Sequence, residues 1–261
     1  MMRTSDENRG LNVMATHYRK KPAEALHYLP ASDYHPANTY FHFSFANYYN
    51  PDNMNYGVLR VVNDDDVKPH SGFDRHPHKD MEIVSYLVKG NLTHWDSATQ
   101  EEDVLSRGHV QTVTAGSGVW HSELNKHDDW CRFLQIWILP PKGGLPVRYE
   151  NHKFTAQDRQ NKLLHIVGTL QKEDDAPLHL NQDINMYVSE LTEASATVTY
   201  QVQTGRQAYI NSIEDAVDVE GMAILEERDS LEVSGPATLT FRAGGNHAHF
   251  IIIDMPQCEA I

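Results

Sequence analysis

The sequence predicts an all-β fold, a sandwich or a barrel, on two observations. Short β-branched or aromatic segments recur along most of its 261 residues, and Gly, Pro, Asn and Asp punctuate them throughout. Helical periodicity is almost absent, which leaves no crossover helices for a parallel sheet. Strands are expected at 59–62, 82–88, 110–113 and 132–139, then at 197–202, 231–233, 238–241 and 250–253. Turns are expected at 89–91, 106–108, 116–118, 140–144 and 234–236, each carrying glycine. Short helices are expected at 23–26 and 212–217, and residues 1–35 read as a loosely ordered extension. The Pro/Gly-rich stretch 140–146 divides the remainder into 36–145 and 146–261, each the length of one small barrel.

Composition narrows the function. Lys and Arg number 22 against 36 Asp and Glu, a net charge of −14, and such a surface repels phosphate backbones and anionic lipid. Direct nucleic-acid binding and membrane attachment are therefore not expected. The basic run Tyr18-Arg19-Lys20-Lys21 reads as a solvated segment. No apolar run approaches the roughly 18–20 residues that span a bilayer, and the polar N-terminus lacks a signal-peptide core. Cys131 and Cys258 have no metal-binding spacing. A reducing cytoplasm is the expected compartment, and a monomer the expected state.

Two histidine motifs carry the chemistry. His76-Pro77-His78 and His121-Ser122-Glu123 each place two ligand-type side chains at i and i+2, which share one face of an extended strand. Side by side, two such strands would aim three imidazoles and a carboxylate at one point. Forty-two residues separate His78 from His121, enough for two or three intervening strands. Pro77 cannot donate to a ladder, so its strand should be an edge, a bulge or a strand start. The Gly116-Ser117-Gly118 turn lets the backbone bend ahead of His121. Three neutral imidazoles and a carboxylate suit a divalent metal: Fe(II) first, with Ni, Co, Mn, Cu and Zn as alternatives. Vacant coordination positions would admit a substrate and dioxygen.

Glu82 shares strand parity with His76 and His78, so it could replace Glu123 as a ligand or hold an imidazole N–H. His94 could line the pocket but reads first as a hydrogen-bonded sheet residue. Trp120 and Trp137 read as core. His247-Ala248-His249 lacks a second ligand pair and reads as a strand start, and His152, His165 and His179 carry no signal.

The arrangement G-x3-H-x-H-x3-E, followed later by G-x2-H, resembles the metal motifs of cupins. More narrowly, H-P-H-K-D-M-E-I, H-W-D-S, T-A-G-S-G-V-W-H-S-E, L-Q-I-W-I-L-P and F-H-F-S-F-A-N-Y-Y-N-P resemble the pirin family, close to its bacterial quercetin 2,3-dioxygenase-like members. The likeness spans 41–149 and is looser beyond 146. It implies a bicupin, two antiparallel β-barrel (jelly-roll) domains with few short helices. Metal would sit in the N-terminal domain alone, on His76, His78, His121 and Glu123, with Glu123 rather than Glu82 as the carboxylate ligand. Arg206-Gln207-Ala208-Tyr209 occupies a strand of the second domain without a ligand pair. The segment before residue 41 is longer than the family's and lacks its glycine-bearing opening.

The activity implied is a metal-dependent dioxygenase that opens the central ring of quercetin-like flavonols with release of carbon monoxide. Glu123 would be the catalytic residue that takes the substrate's proton. The alternatives are a metal-bearing, redox-sensitive regulatory protein with a protein partner, or a ligand-binding barrel with an incidental metal.

Overall fold

Strands form wherever apolar or β-branched residues alternate or run unbroken, and the unbroken runs prove to be strands buried on both faces. The computed structural model describes residues 16–172 and 174–257. Its first strands are β1 (His17–Lys21), β2 (His27–Leu29), β3 (Ala37–Phe41), β4 (Leu59–Val67), β5 (Ser71–His78) and β6 (Glu82–Lys89). Next come β7 (Asn91–Asp96), β8 (Glu102–Ser106), β9 (His109–Thr114), β10 (Val119–Asn125), β11 (Cys131–Ile138) and β12 (Arg148–Lys153). The second half holds β13 (Leu164–Thr169), β14 (Leu178–Leu180), β15 (Asn185–Leu191), β16 (Thr197–Val202), β17 (Arg206–Glu214) and β18 (Val217–Val219). It ends with β19 (Ala223–Leu225), β20 (Ser230–Ser234), β21 (Ala237–Ala243) and β22 (Ala248–Pro256).

Each half is a pair of facing sheets, so the two-domain cupin arrangement is realised as double-sheet jelly rolls rather than single closed barrels. The first pairs a seven-stranded sheet, β12-β9-β6-β11-β4-β3-β2, with a four-stranded one, β5-β10-β7-β8. The second repeats the plan with β1-β20-β17-β22-β15-β13-β14 and β16-β21-β18-β19. The two seven-stranded sheets share one core, in which Val84, Tyr86, Leu134 and Ile136 meet Met186, Val188, Ile251 and Ile253. That shared core explains the unbroken apolar run at 250–253. Inside the second jelly roll the positions are apolar: Ala208, Ile210, Leu231, Leu239, Phe241 and Phe250 fill it. Among the described residues, clusters of potential metal ligands occur only in the first.

Several elements differ from expectation. The 59–62 strand runs on to Val67, because Asp64 and Asp65 are buried with partners: Arg132 grips Asp64 at 2.6 and 2.8 Å, and Thr39 donates to Asp65. The helix expected at 212–217 is the end of β17 and the start of β18. A bulge between Ser212 and Glu214 and the left-handed Asp215 (φ 57°) break the strand alternation there and mimic a helical spacing. The other expected helix is a single 3-10 turn, Ala23–Ala25. The loosely ordered extension is not what residues 16–35 form: β1 adds an edge strand to the second jelly roll and β2 to the first, while residues 1–15 lie outside the described residues. The sheets also divide later than the 140–146 stretch, since β12 still pairs with β9. Cys131 is buried and unpaired, its thiol pushed up to about 12 by burial; Cys258 lies outside the described residues.

Candidate metal centre

The site forms where β5 and β10 pair antiparallel in the small sheet, with His121 opposite His76 and Val119 opposite His78. β5 is the edge of that sheet, so Pro77 faces outward and its missing N–H costs no ladder bond. Gly72 makes the close approach possible. A Cβ there would lie 2.4 Å from the Glu123 carbonyl oxygen, and its φ of 151° disfavours any other residue.

His76, His78 and His121 turn their rings inward, and each offers a ring nitrogen within 4.8 Å of those of the other two. The Nε2 atoms of His76 and His121 stand 3.0 Å apart. His76 Nδ1 donates to the Asp74 carbonyl at 2.7 Å, which fixes the tautomer that leaves Nε2 with a free lone pair. His78 Nε2 is buried without a partner among the described residues. Burial, reinforced by the neighbouring imidazoles, lowers the pKa of His78 and His121 to about 3. Both rings are therefore neutral at ordinary pH. Three imidazoles with ring nitrogens converging on one point fit a divalent cation.

Glu123 lies beside this trio rather than in it. Its carboxylate forms a second close group with His94 and His121, and does not join His76 and His78 within the same 4.8 Å. A bulge between His121 and Glu123 shifts the register, placing Glu123 opposite Phe73. Three donors from the large sheet hold it: Gln135 Nε2 at 2.6 Å on one oxygen, Ser85 Oγ at 3.1 Å and Gln111 Nε2 at 3.2 Å on the other. Ser85 faces both Gln135 and Gln111 across neighbouring strands, so these donors form one polar row. None was singled out from the sequence, because a row across three strands exists only once the register is known. His94, buried on β7, stacks on Tyr149 at 4.9 Å and lies 3.4 Å from Asp96, close enough to His121 to belong to the site.

Glu82 is not part of this centre. The chain turns at Asp80 (φ 48°) and enters the other sheet, which resets the parity. Glu82 is fully buried and accepts hydrogen bonds from the backbone N–H of Asn181 (2.7 Å) and Gln182 (3.0 Å), from Asn181 Nδ2 (2.9 Å) and from Thr114 Oγ1 (3.2 Å). It ties the two halves together. His249 does likewise, meeting Tyr86 Oη at 2.8 Å and Glu214 at 2.7 Å. Trp120 is not core but 52% exposed on the outer face of β10. Trp137 stands edge-on to His78 at 4.8 Å and lines a cavity.

That cavity, of about 280 Å³, opens onto His76, His78 and Glu123. Its size is near the lower end of the roughly 300–1,000 Å³ typical of small-molecule pockets. Phe41, Phe45, Phe73 and Trp137 make it largely apolar, with Asn63, Asp65 and Gln135 as polar points. His27, Leu29 and His35, from the segment expected to be a loose extension, complete the wall. The stretch before residue 41 thus forms part of the cavity wall.

Comparison with known proteins agrees with this architecture. The Pirin family model matches residues 23–138, and a model described as the quercetinase C-terminal cupin domain matches 169–255. A pirin-like protein of Caulobacter vibrioides is 36% identical over 213 residues, 82% of this chain and 90% of that protein. The quercetin 2,3-dioxygenase of Escherichia coli K12 is 34% identical over 215 residues, covering 82% and 89%. Among solved structures, the bacterial pirin YhhW of E. coli, in complex with nickel(II), superposes with a TM-score of 0.83 at 27% identity, covering 93% of this chain and all of that one.

Proposed function

The chain belongs to the pirin family, and on that footing we propose that it is a metal-dependent dioxygenase of quercetin-like flavonols. The observation that carries the proposal is the meeting of the His76, His78 and His121 rings beside an aromatic-lined cavity that Glu123 also lines. His76, His78, His121 and Glu123 would hold the ion, with Fe(II) preferred. The nickel(II) reported for YhhW supports a divalent ion in general. When bound, such an ion supplies Lewis acidity to a substrate hydroxyl and a meeting place for dioxygen.

The protein's own residues do the rest. Phe41, Phe45, Phe73 and Trp137 offer flat and edge-on aromatic surfaces to a planar phenol and displace water from it. Glu123 takes the proton from the substrate hydroxyl, and the O–H bonding pair stays on oxygen as the electron-rich enolate. Gln135, Ser85 and Gln111 fix the direction of that carboxylate. Attack by dioxygen on the enolate ring then opens the central ring and releases carbon monoxide. The substrates are therefore a small phenol and dioxygen. No described helix is long and apolar enough to cross a membrane.

The test is anaerobic reconstitution of metal-free protein with Fe(II), Ni(II), Co(II) or Mn(II), followed by quercetin in air. Loss of quercetin with evolution of carbon monoxide, abolished by His121→Ala, is the expected result. Unchanged quercetin with all four metals would overturn the proposal.

A further inference from the structure

Strand β4 carries Asn63, Asp64 and Asp65 in succession, and they are only 4%, 1% and 3% exposed. Burying such groups is costly unless they find hydrogen-bond partners, since each gives up its water on folding. Asp64 meets that demand. Arg132 grips it at 2.6 and 2.8 Å, and Arg228 approaches to 3.1 Å. Asn63 and Asp65 take the opposite face of the strand, and both line the aromatic cavity. There Asn63 Oδ1 is buried with no hydrogen-bond partner among the described residues. Asp65 is half satisfied: Thr39, directly opposite on β3, donates to Oδ1 at 2.5 Å, whereas Oδ2 has no hydrogen-bond partner among the described residues.

The register of β4 on β11 orders these groups along the cavity. Val61 lies opposite Trp137, Asn63 opposite Gln135 and Asp65 opposite Phe133. Trp137 is the ring that stands against His78, and Gln135 holds Glu123. Asn63 is therefore level with the metal centre, and Asp65 lies one pleat, about 6.6 Å, farther along the strand. A ligand in the cavity meets two separate polar points on one wall.

We propose that Asn63 and Asp65 are the specificity-determining pair of this cavity, and that they select polyhydroxylated phenols by hydrogen-bonding groups other than the reacting hydroxyl. This rests on the reading of the cavity as the site of a planar phenol, and it names which phenols fit. Either protonation state of Asp65 serves, because a carboxylate accepts from a phenolic O–H and a carboxylic acid can also donate to its oxygen. Asn63 Oδ1 accepts from a hydroxyl, and its amide N–H groups can donate to a ring carbonyl. Phe41, Phe45, Phe73 and Trp137 hold any flat ring and do not tell a hydroxylated one from a bare one. Discrimination falls to the two polar points, since a ligand without the hydroxyl strips their water and returns no hydrogen bond.

The test compares quercetin with 3-hydroxyflavone on nickel(II)-loaded protein in the absence of oxygen. Quercetin carries hydroxyls on both outer rings, whereas 3-hydroxyflavone keeps the reacting hydroxyl and lacks all the others. Equilibrium titration of wild type should show quercetin binding roughly tenfold or more tighter. In Asn63→Ala and in Asp65→Ala, at equal nickel content, that ratio should fall by about threefold or more, because quercetin loses more than its bare counterpart. A merely structural role for either residue would weaken both ligands alike and leave the ratio unmoved. Where an alanine variant fails to fold, leucine, closer in shape to both side chains, takes its place and the same ratio is read. Equal affinities in wild type, or the wild-type ratio retained in either variant, would overturn the pair. A lowered ratio with no breakdown of quercetin in air would leave the pair standing and overturn the dioxygenase reading. Breakdown in air with an unmoved ratio would do the reverse.

Discussion

Replacing Asp65 with Asn should flatten the pH dependence of stability in a calculable way. The folded protein holds the Asp65 proton up to about 7 through burial, whereas an unfolded carboxyl releases it near 3.8. Between those values the native state binds more protons than the unfolded one, so stability falls as pH rises through the window and levels off above it. At about 1.4 kcal/mol per tenfold change in proton affinity, the whole window is worth on the order of 4 kcal/mol. That figure is an upper bound, because Asp65 borders a cavity that admits water. Asn is nearly isosteric, can still accept the Thr39 hydrogen bond and carries no charge. Its stability relative to wild type should therefore improve from pH 4 to pH 8 by about 2–4 kcal/mol. Urea denaturation of both metal-free proteins across that range measures the difference, in which titrating groups not coupled to Asp65 cancel. A difference between the two proteins that stays constant over the range would refute the reasoning.

Three further outcomes follow from the packing. Glu82→Ala strips the acceptor from two backbone N–H groups of the second jelly roll, Asn181 and Gln182, and should cost about 3–5 kcal/mol; a shift in urea stability below about 1 kcal/mol would contradict its role as a tie. Gly72→Ala would force β5 off the Glu123–Leu124 backbone of β10 and so spread the histidine trio. Calorimetric titration with nickel(II) should show at least tenfold weaker binding in that variant, while Gly245→Ala, with nothing within 4 Å of its new Cβ, should bind as wild type. Gln135→Leu removes the 2.6 Å hydrogen bond to Glu123 and should weaken metal binding or turnover about 10- to 100-fold; equal values for both would show that Glu123 needs no such support.

Part of this was legible from the chain alone. His76 and His78 converge with His121 as the i, i+2 spacing of the first motif suggests, whereas the bulge between His121 and Glu123 breaks that spacing in the second and leaves Glu123 in a separate group with His94. The missing donor of Pro77 limited its strand to an edge, a bulge or a strand start, and β5 proves to be an edge. The acidic run at 64–66, by contrast, ended the expected strand too early. Charge inside a strand is tolerated only when a partner waits, and Arg132 is 68 residues away.

The sequence by itself determined that strands would dominate and that two short motifs would present metal-type ligands, since both follow from side-chain period and backbone chemistry within a few residues. Only the tertiary structure decided that Glu82 would leave the site to tie the domains, and that Glu123 would be held by Ser85, Gln111 and Gln135. It alone showed that His27, Leu29 and His35 would wall the cavity. Those outcomes depend on which strands become neighbours and in what register. That is settled by burying the apolar faces of two seven-stranded sheets against each other, a property of the whole chain rather than of any stretch of it.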